Sequence, residues 1–246
     1  MGRGHRQRTQ VQRYNPVTGR SAIEVVRTVL AEEQEPTTYR QAITCDDAPK
    51  WRKAMDEELA ALKRNNTFDL VPRPSGRSIV GCKWVYKIKR LPDGSIERYK
   101  ARGVAKGYSQ QPGFDYDEIF APVVRYESLR LLLAICAHFG WKPRQFDVKS
   151  AFLYGTLRET VYMQPLPGYE MEGMVWKLNR CIYGLKQSAH EWYGELSRCL
   201  LAKGFQTSNF DPCVFVHHNE LIYISIYVDD IAVYACLLYT SPSPRD

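Results

Sequence analysis

Leu221-Ile222-Tyr223-Ile224-Ser225-Ile226-Tyr227-Val228-Asp229-Asp230-Ile231-Ala232-Val233-Tyr234 is the stretch that decides the fold. β-Branched and aromatic residues at this density read as two strands, and the break between them is the Asp pair. Two carboxylates then sit at the tip of a buried hairpin. Adjacent like charges there are costly unless a cation neutralises them. Mg²⁺ is the natural candidate, because it takes hard oxygen ligands and is often shared with substrate phosphates. The plainer reading is a solvated Asp-Asp turn, since Asp is a common turn residue.

The chain N-terminal to this hairpin supplies its neighbours. Asp211-Pro212-Cys213-Val214-Phe215-Val216 begins a strand that pairs with 221–228, with His217 and His218 in the turn. Ser188-Ala189-His190-Glu191 has the spacing of a capping box and predicts a helix with Trp192, Leu196, Cys199 and Leu200 inward and Gly204 past its end. Glu191 is thereby explained structurally. Ser128 to Phe139 reads as a strongly apolar helix closed by Gly140. Arg144 to Lys149 reads as a strand carrying Asp147 among apolar neighbours. Val161-Tyr162-Met163 and Val175-Trp176-Lys177-Leu178 read as short strands around the loop 165–173.

Further upstream, Ser78 to Lys89 and Ile96 to Val104 form a second predicted hairpin, turned by Pro92-Asp93-Gly94. Residues 71–110 hold ten bases against two acids, a net of +8, which exceeds the +7 of the whole chain. Concentrating that charge on one hairpin, with Trp84, Tyr86 and Tyr99 interleaved, fits contact with phosphates; a solvated face is the plain alternative. A helix is expected from about Asp47, capped by Asp46 or Asp47 with Pro49 in its first turn and a stripe of Trp51, Met55, Leu59 and Leu62. Residues 1–47 offer little apolar material and read as a largely disordered linker.

Composition bounds the rest. The chain has 246 residues, enough for one large domain or two small ones, and is 44% hydrophobic, enough for a sizeable core. Its pI near 9.0 favours a polyanionic partner. The seven cysteines (Cys45, Cys82, Cys136, Cys181, Cys199, Cys213 and Cys236) are scattered without CxxC spacing, so neither zinc nor a disulfide framework is expected. No apolar run reaches membrane-spanning length, and no membrane partner is expected.

One carboxylate on a strand and an adjacent pair on a hairpin 82 residues later suit a two-metal phosphoryl-transfer site. The motifs around them, in order, are Trp51-x-x-Ala54-Met55, Lys83-Trp84-Val85-Tyr86-Lys87, Tyr99-Lys100-Ala101-Arg102, Val104-Ala105-Lys106-Gly107-Tyr108-Ser109-Gln110, Phe120-Ala121-Pro122-Val123-Val124, Gln145-Phe146-Asp147-Val148-Lys149-Ser150-Ala151-Phe152-Leu153, Val161-Tyr162-Met163, Tyr183-Gly184-Leu185-Lys186-Gln187-Ser188 and Tyr227-Val228-Asp229-Asp230. In residues 36–234 the chain resembles the copia-type retrotransposon reverse transcriptase.

The resemblance implies an α+β fold, a right-hand polymerase with fingers and palm, the antiparallel palm sheet backed by helices. Fingers would occupy about 48–125 and 155–187, and palm about 126–154 and 188–234. It implies RNA-directed DNA synthesis from dNTPs at a primer 3′-hydroxyl on an RNA template, with two Mg²⁺ ions or Mn²⁺ in their place. Asp147, Asp229 and Asp230 would be the catalytic metal ligands. Phe152 would lie under the incoming sugar and exclude a 2′-hydroxyl. Tyr183, Gly184, Lys186 and Gln187 would line the nucleotide pocket, with Lys89, Arg102 and Lys106 toward the triphosphate and Lys83, Lys87 and Lys100 toward nucleic acid. The rest of a Pol polyprotein (integrase, RNase H) would accompany it in a cytoplasmic virus-like particle or the nucleus. A remnant that binds nucleic acid without catalysis is the alternative.

Three departures stand out. Gly103 replaces an aliphatic residue, and Ala189-His190 replaces Pro or Gly followed by Arg. Residues 235–246 match nothing in the family and Cys236 to Asp246 look like translated adapter sequence, so a truncated, inactive chain lacking thumb and RNase H is expected.

Overall fold

The computed structural model describes residues 35–113 and 115–236. Most of the expected linker (1–34) and most of the expected tail (237–246) lie outside the described residues. The elements run α1 (Tyr39–Thr44), α2 (Ala48–Arg64), β1 (Phe68–Pro72), β2 (Cys82–Arg90), β3 (Ile96–Ala105), α3 (Tyr126–Phe139), β4 (Arg144–Asp147), β5 (Thr156–Met163), β6 (Met174–Arg180), α4 (Ser188–Ala202), β7 (Gln206–Thr207), β8 (Val214–His217), β9 (Ile222–Tyr227) and β10 (Asp230–Tyr234).

The deciding stretch folds as read. β9 and β10 pair antiparallel, and they form the centre of a five-stranded sheet ordered β4-β10-β9-β8-β7. Every pairing in it is antiparallel. Leu132 and Cys136 of α3 and Leu200 of α4 pack on Val214, Phe215, Ile224, Ile226 and Tyr234 from that sheet. Gly140 closes α3 at φ 67, in the left-handed region where glycine is favoured. His217 completes β8 rather than its turn.

A second core joins the remaining elements. Trp84, Tyr86 and Ile88 of β2 alternate inward, meeting Trp51 and Met55 of α2, Val161 and Met163 of β5 and Trp176 and Leu178 of β6. Strands β1, β6 and β5 form a three-stranded antiparallel sheet, and β2 pairs with β3 alone. The expected strand from Ser78 begins instead at Cys82. Val80 forms a parallel bridge with Met163, so the chain is tied to the three-stranded sheet before it enters the hairpin.

Several local readings are corrected by packing. The expected linker is folded at its C-terminal end: α1 is closed by a Thr38–Gln41 capping box and buries Ala42 completely. Asp47 stands at the N-cap of α2 but makes no side-chain cap bond. Its carboxylate instead pairs with Lys50 at 2.8 Å and accepts the Tyr99 hydroxyl at 2.9 Å. The capping box at 188–191 does not form, because the helix starts one residue earlier than it requires. Gln187 is the N-cap, and the Ser188 hydroxyl, inside the helix, donates to the Ile182 carbonyl at 2.6 Å. Cys199 is exposed, lying about 100° round the helix from buried Leu200. Trp84 and Tyr86 face the core at 3% and 4% exposure, so they are not interleaved with the hairpin's cations. Among the described residues no helix is long and apolar enough to cross a membrane.

Candidate functional site

The turn between β9 and β10 is as short as a hairpin permits. Tyr227 pairs with Asp230, leaving Val228 and Asp229 as the loop. Val228 adopts φ 56, a conformation that strains a β-branched side chain. Its carbonyl accepts the Trp192 indole N–H at 2.8 Å, and the Asp229 carbonyl accepts the Val148 N–H at 3.1 Å. The turn is therefore held from α4 on one side and from the end of β4 on the other.

Strand β4 runs beside β10, with Asp147 opposite Asp230. Asp147 and Asp229 line one cleft together with Lys149, Ser150, Tyr183, Arg98, Lys100 and Arg102. The three β3 bases alternate along the strand, so they share a face. Tyr183 joins the two halves of the cleft. The Arg102 guanidinium lies 4.9 Å from its ring centre, and Phe152 meets it edge-on with centroids 4.8 Å apart. Burial raises the Tyr183 hydroxyl above its ordinary value, opposed by the charge of Arg102. The Lys100 ammonium is pulled below its ordinary 10.5 by burial first and then by crowding from Arg102, Arg98 and Lys89. A cation cluster that strained favours an anion in the cleft.

Asp230 departs from the expected trio. It lines a separate hollow with Leu129, Ser225 and Tyr227, and accepts Gln145 Nε2 at 3.0 Å. Among the described residues no group of three or more His, Cys, Asp and Glu side chains stands together to hold a metal ion. Asp147 and Asp229 still suit Mg²⁺, which is commonly held by one or two carboxylates and completes its shell with water and substrate phosphates.

A family model described as reverse transcriptase (RNA-dependent DNA polymerase) matches residues 65–237. The chain belongs to the reverse transcriptase family. It is 45% identical over 210 residues to the retrovirus-related Pol polyprotein from transposon RE1 of Arabidopsis thaliana, covering 83% of this chain and 14% of that protein. Against the corresponding polyprotein from transposon TNT 1-94 of Nicotiana tabacum it is 38% identical over 211 residues, covering 83% and 16%. A Ty1 Gag-Pol polyprotein of Saccharomyces cerevisiae is 28% identical over 220 residues, covering 87% and 12%. The chain thus spans roughly a seventh of the length of the first of these relatives. The resemblance read from the motifs is borne out.

Other residues that the reverse transcriptase resemblance implied fall outside the cleft. Gln187 is fully buried, taking Gln110 Nε2 at 3.0 Å and donating to the Asp115 carbonyl at 2.8 Å. Lys186 Nζ reaches the Tyr116 hydroxyl at 3.0 Å and sits 4.7 Å from that ring centre. Both side chains clasp the loop after β3. Gly184, at φ 92, does permit a close backbone approach, but to the chain itself: a Cβ there would lie 2.1 Å from the Ala105 carbonyl oxygen. Lys106 and Lys89 do not line the cleft, whereas Lys100, assigned to nucleic acid, does. Arg98 and Lys149 were missed; the alternation Arg98, Lys100, Arg102 was the signal for the first. Lys83 and Lys87 project from the outer face of β2, and Lys87 pairs with Glu35 at 3.0 Å. Gly103 is no void, since a Cβ there would meet Leu166 Cδ1 at 2.6 Å. His190 is not among the residues lining the cleft, and its Nδ1 lies 2.7 Å from the Phe120 carbonyl oxygen.

Proposed function

We propose that the chain carries out RNA-directed DNA synthesis, transferring a nucleotidyl group from a dNTP to a primer 3′-hydroxyl as one segment of a longer Pol polyprotein. The observation that carries the reading is the shared cleft: a carboxylate from the end of β4 and one from the β9–β10 turn line it together with three alternating bases of β3. In this reading Arg98, Lys100 and Arg102 take the triphosphate, and Lys149 adds a fourth cation. Charge on the transferring phosphoryl group is then neutralised without moving any part of the protein. Asp147 and Asp229 would hold the divalent cations, which would supply Lewis acidity toward the reacting oxygens. Asp230 adds negative charge behind them. Phe152, fixed against Tyr183, meets the sugar where a 2′-hydroxyl would stand. The outer face of β2 with Lys83 and Lys87 takes the nucleic-acid backbone. The core built on β2, β3 and the three-stranded sheet then serves as fingers, and the five-stranded sheet as palm.

Extension of a DNA primer on an RNA template tests this, using a polypeptide that carries the chain, Mg²⁺ or Mn²⁺, and all four dNTPs. Templated extension that Asp229→Asn abolishes is the expected result. Salt-sensitive binding of primer-template with no extension under either cation would sink it in favour of a non-catalytic binder.

A further inference from the structure

We infer that Trp192 is a positioning residue for the Val228-Asp229 turn: its indole N–H holds a strained peptide in the one arrangement that aims Asp229 into the cleft. The inference rests on the proposed function above.

Three observations converge on it. Val228 sits at φ 56, where a β-branched side chain is disfavoured and where hairpins ordinarily place glycine. Such a residue persists only when its surroundings over-determine it. Among the described residues, the side-chain bond to that peptide is the 2.8 Å contact from Trp192 Nε1 to the Val228 carbonyl. The peptide so gripped is the one that joins Val228 to Asp229, so its plane sets the direction from which the Asp229 carboxylate departs. A flip of that peptide would change ψ of Val228 and φ of Asp229 together and swing the carboxylate away, and the indole bond opposes it.

The indole is itself fixed. Trp192 is 5% exposed. Its ring packs at 6.0 Å from Tyr154, in the 3-10 turn Ala151–Tyr154 that follows β4 and carries Phe152. Gly155 comes so near that a Cβ on it would lie 3.1 Å from the Trp192 backbone nitrogen. Cys181 donates its N–H to the Gly155 carbonyl at 2.9 Å. One side chain thus refers the Asp229 turn and the Phe152 turn to the same helix. An apolar side chain of similar shape would fill the space equally well; the N–H is the part that packing does not explain.

Replacing Trp192 with β-(3-benzothienyl)alanine at an amber codon tests this, because the isostere keeps shape and burial and loses the donor. Two readouts are taken. The first is amide hydrogen exchange at Val228, Asp229 and Asp230, which needs no activity. The second is single-nucleotide primer extension. Exchange at the turn is expected to rise, and the single-nucleotide rate to fall on the order of tenfold, the effect of one lost hydrogen bond. The KM for dNTP and the melting temperature should hold. The loss should shrink in a Val228→Gly background, where left-handed backbone is unstrained and needs less support. Unchanged exchange at the turn overturns the inference, as does a rate within twofold of the parent, or a loss equally large in the Val228→Gly background and in the parent. If the parent extends no primer, the proposed polymerase reading fails while exchange still decides the role of Trp192.

Discussion

At the scale of single residues, the site is a matter of which hollow each carboxylate of the hairpin tip lines. Asp229 lines the cation-rich cleft, while Asp230, one position on, is engaged by Gln145. Asp229→Asn is therefore expected to remove extension while primer-template binding, measured by anisotropy, stays within about twofold, because phosphate contacts carry the affinity. Asp230→Asn should be milder than Asp229→Asn by an order of magnitude or more; equal losses would place both carboxylates on the same cation. Phe152 stands edge-on to Tyr183. Phe152→Val should raise incorporation of ribonucleotides relative to deoxynucleotides, read from single-turnover rates with each, and an unchanged ratio would rule out the sugar contact. The pair Asp147 and Asp229 was legible in the sequence because a hairpin tip and a strand end announce themselves locally. The roles of Gln187 and Lys186 were not. Their partners Gln110, Asp115 and Tyr116 lie some seventy residues away, and no periodicity in the chain reports such pairings.

At the scale of elements, the β2–β3 ribbon is at odds with itself when alone. Its outer face sets Lys87 opposite Lys100 and Lys89 opposite Arg98. Like charges directly opposed destabilise a ribbon, and a polyanion laid along it removes the penalty. Replacing Lys83 and Lys87 with Ala should flatten the dependence of log affinity on log salt by about 0.7 per lysine for single-stranded nucleic acid, measured by titration at several ionic strengths. An unaltered slope would move the interface elsewhere. Below the ribbon, Glu58 of α2 accepts the Gly103 N–H at 3.3 Å, and burial raises its carboxyl above the ordinary 4.5, against the pull of that bond and of Arg102. The folded state then binds protons more tightly than the unfolded one. Stability from this group is fully present below 4.5 and is lost as pH rises through the folded value. Glu58→Gln, which keeps an acceptor for Gly103, should raise the melting temperature at neutral pH and leave it nearly unchanged below pH 4.5. The two hairpins themselves were readable, since alternation and an Asp-Gly turn are local signals. The cap of α4 was not, because the turn ending at Gln187 starts the helix one residue ahead of the Ser-x-x-Glu spacing.

At the scale of the molecule, two hydrophobic cores share one chain without dividing it. The first draws on residues from Ala42 to Ala105 and again from Leu153 to Leu185. The second draws on Val124 to Cys136 and again on Leu200 to Tyr234. Helix α4 is common ground: Trp192 near its start touches the turn after β4, while Leu200 near its end belongs to the second core. The cleft lies where the two meet, with β3 contributing cations and β4 and the β10 turn contributing carboxylates. That interleaving has a consequence for how the protein is made. As the polypeptide leaves the ribosome, the basic hairpin and α2 emerge long before β5 and β6, whose Met163 and Trp176 they need for burial. Until Leu185 has been synthesised, Trp84 and Tyr86 lack part of their cover, and a nascent chain halted near residue 150 should remain open to protease and bind a chaperone that recognises exposed aromatics. Chains extended past Leu185 should close the first core and only those carrying Tyr234 the second, so protease resistance should be gained late and in two steps along the series of lengths.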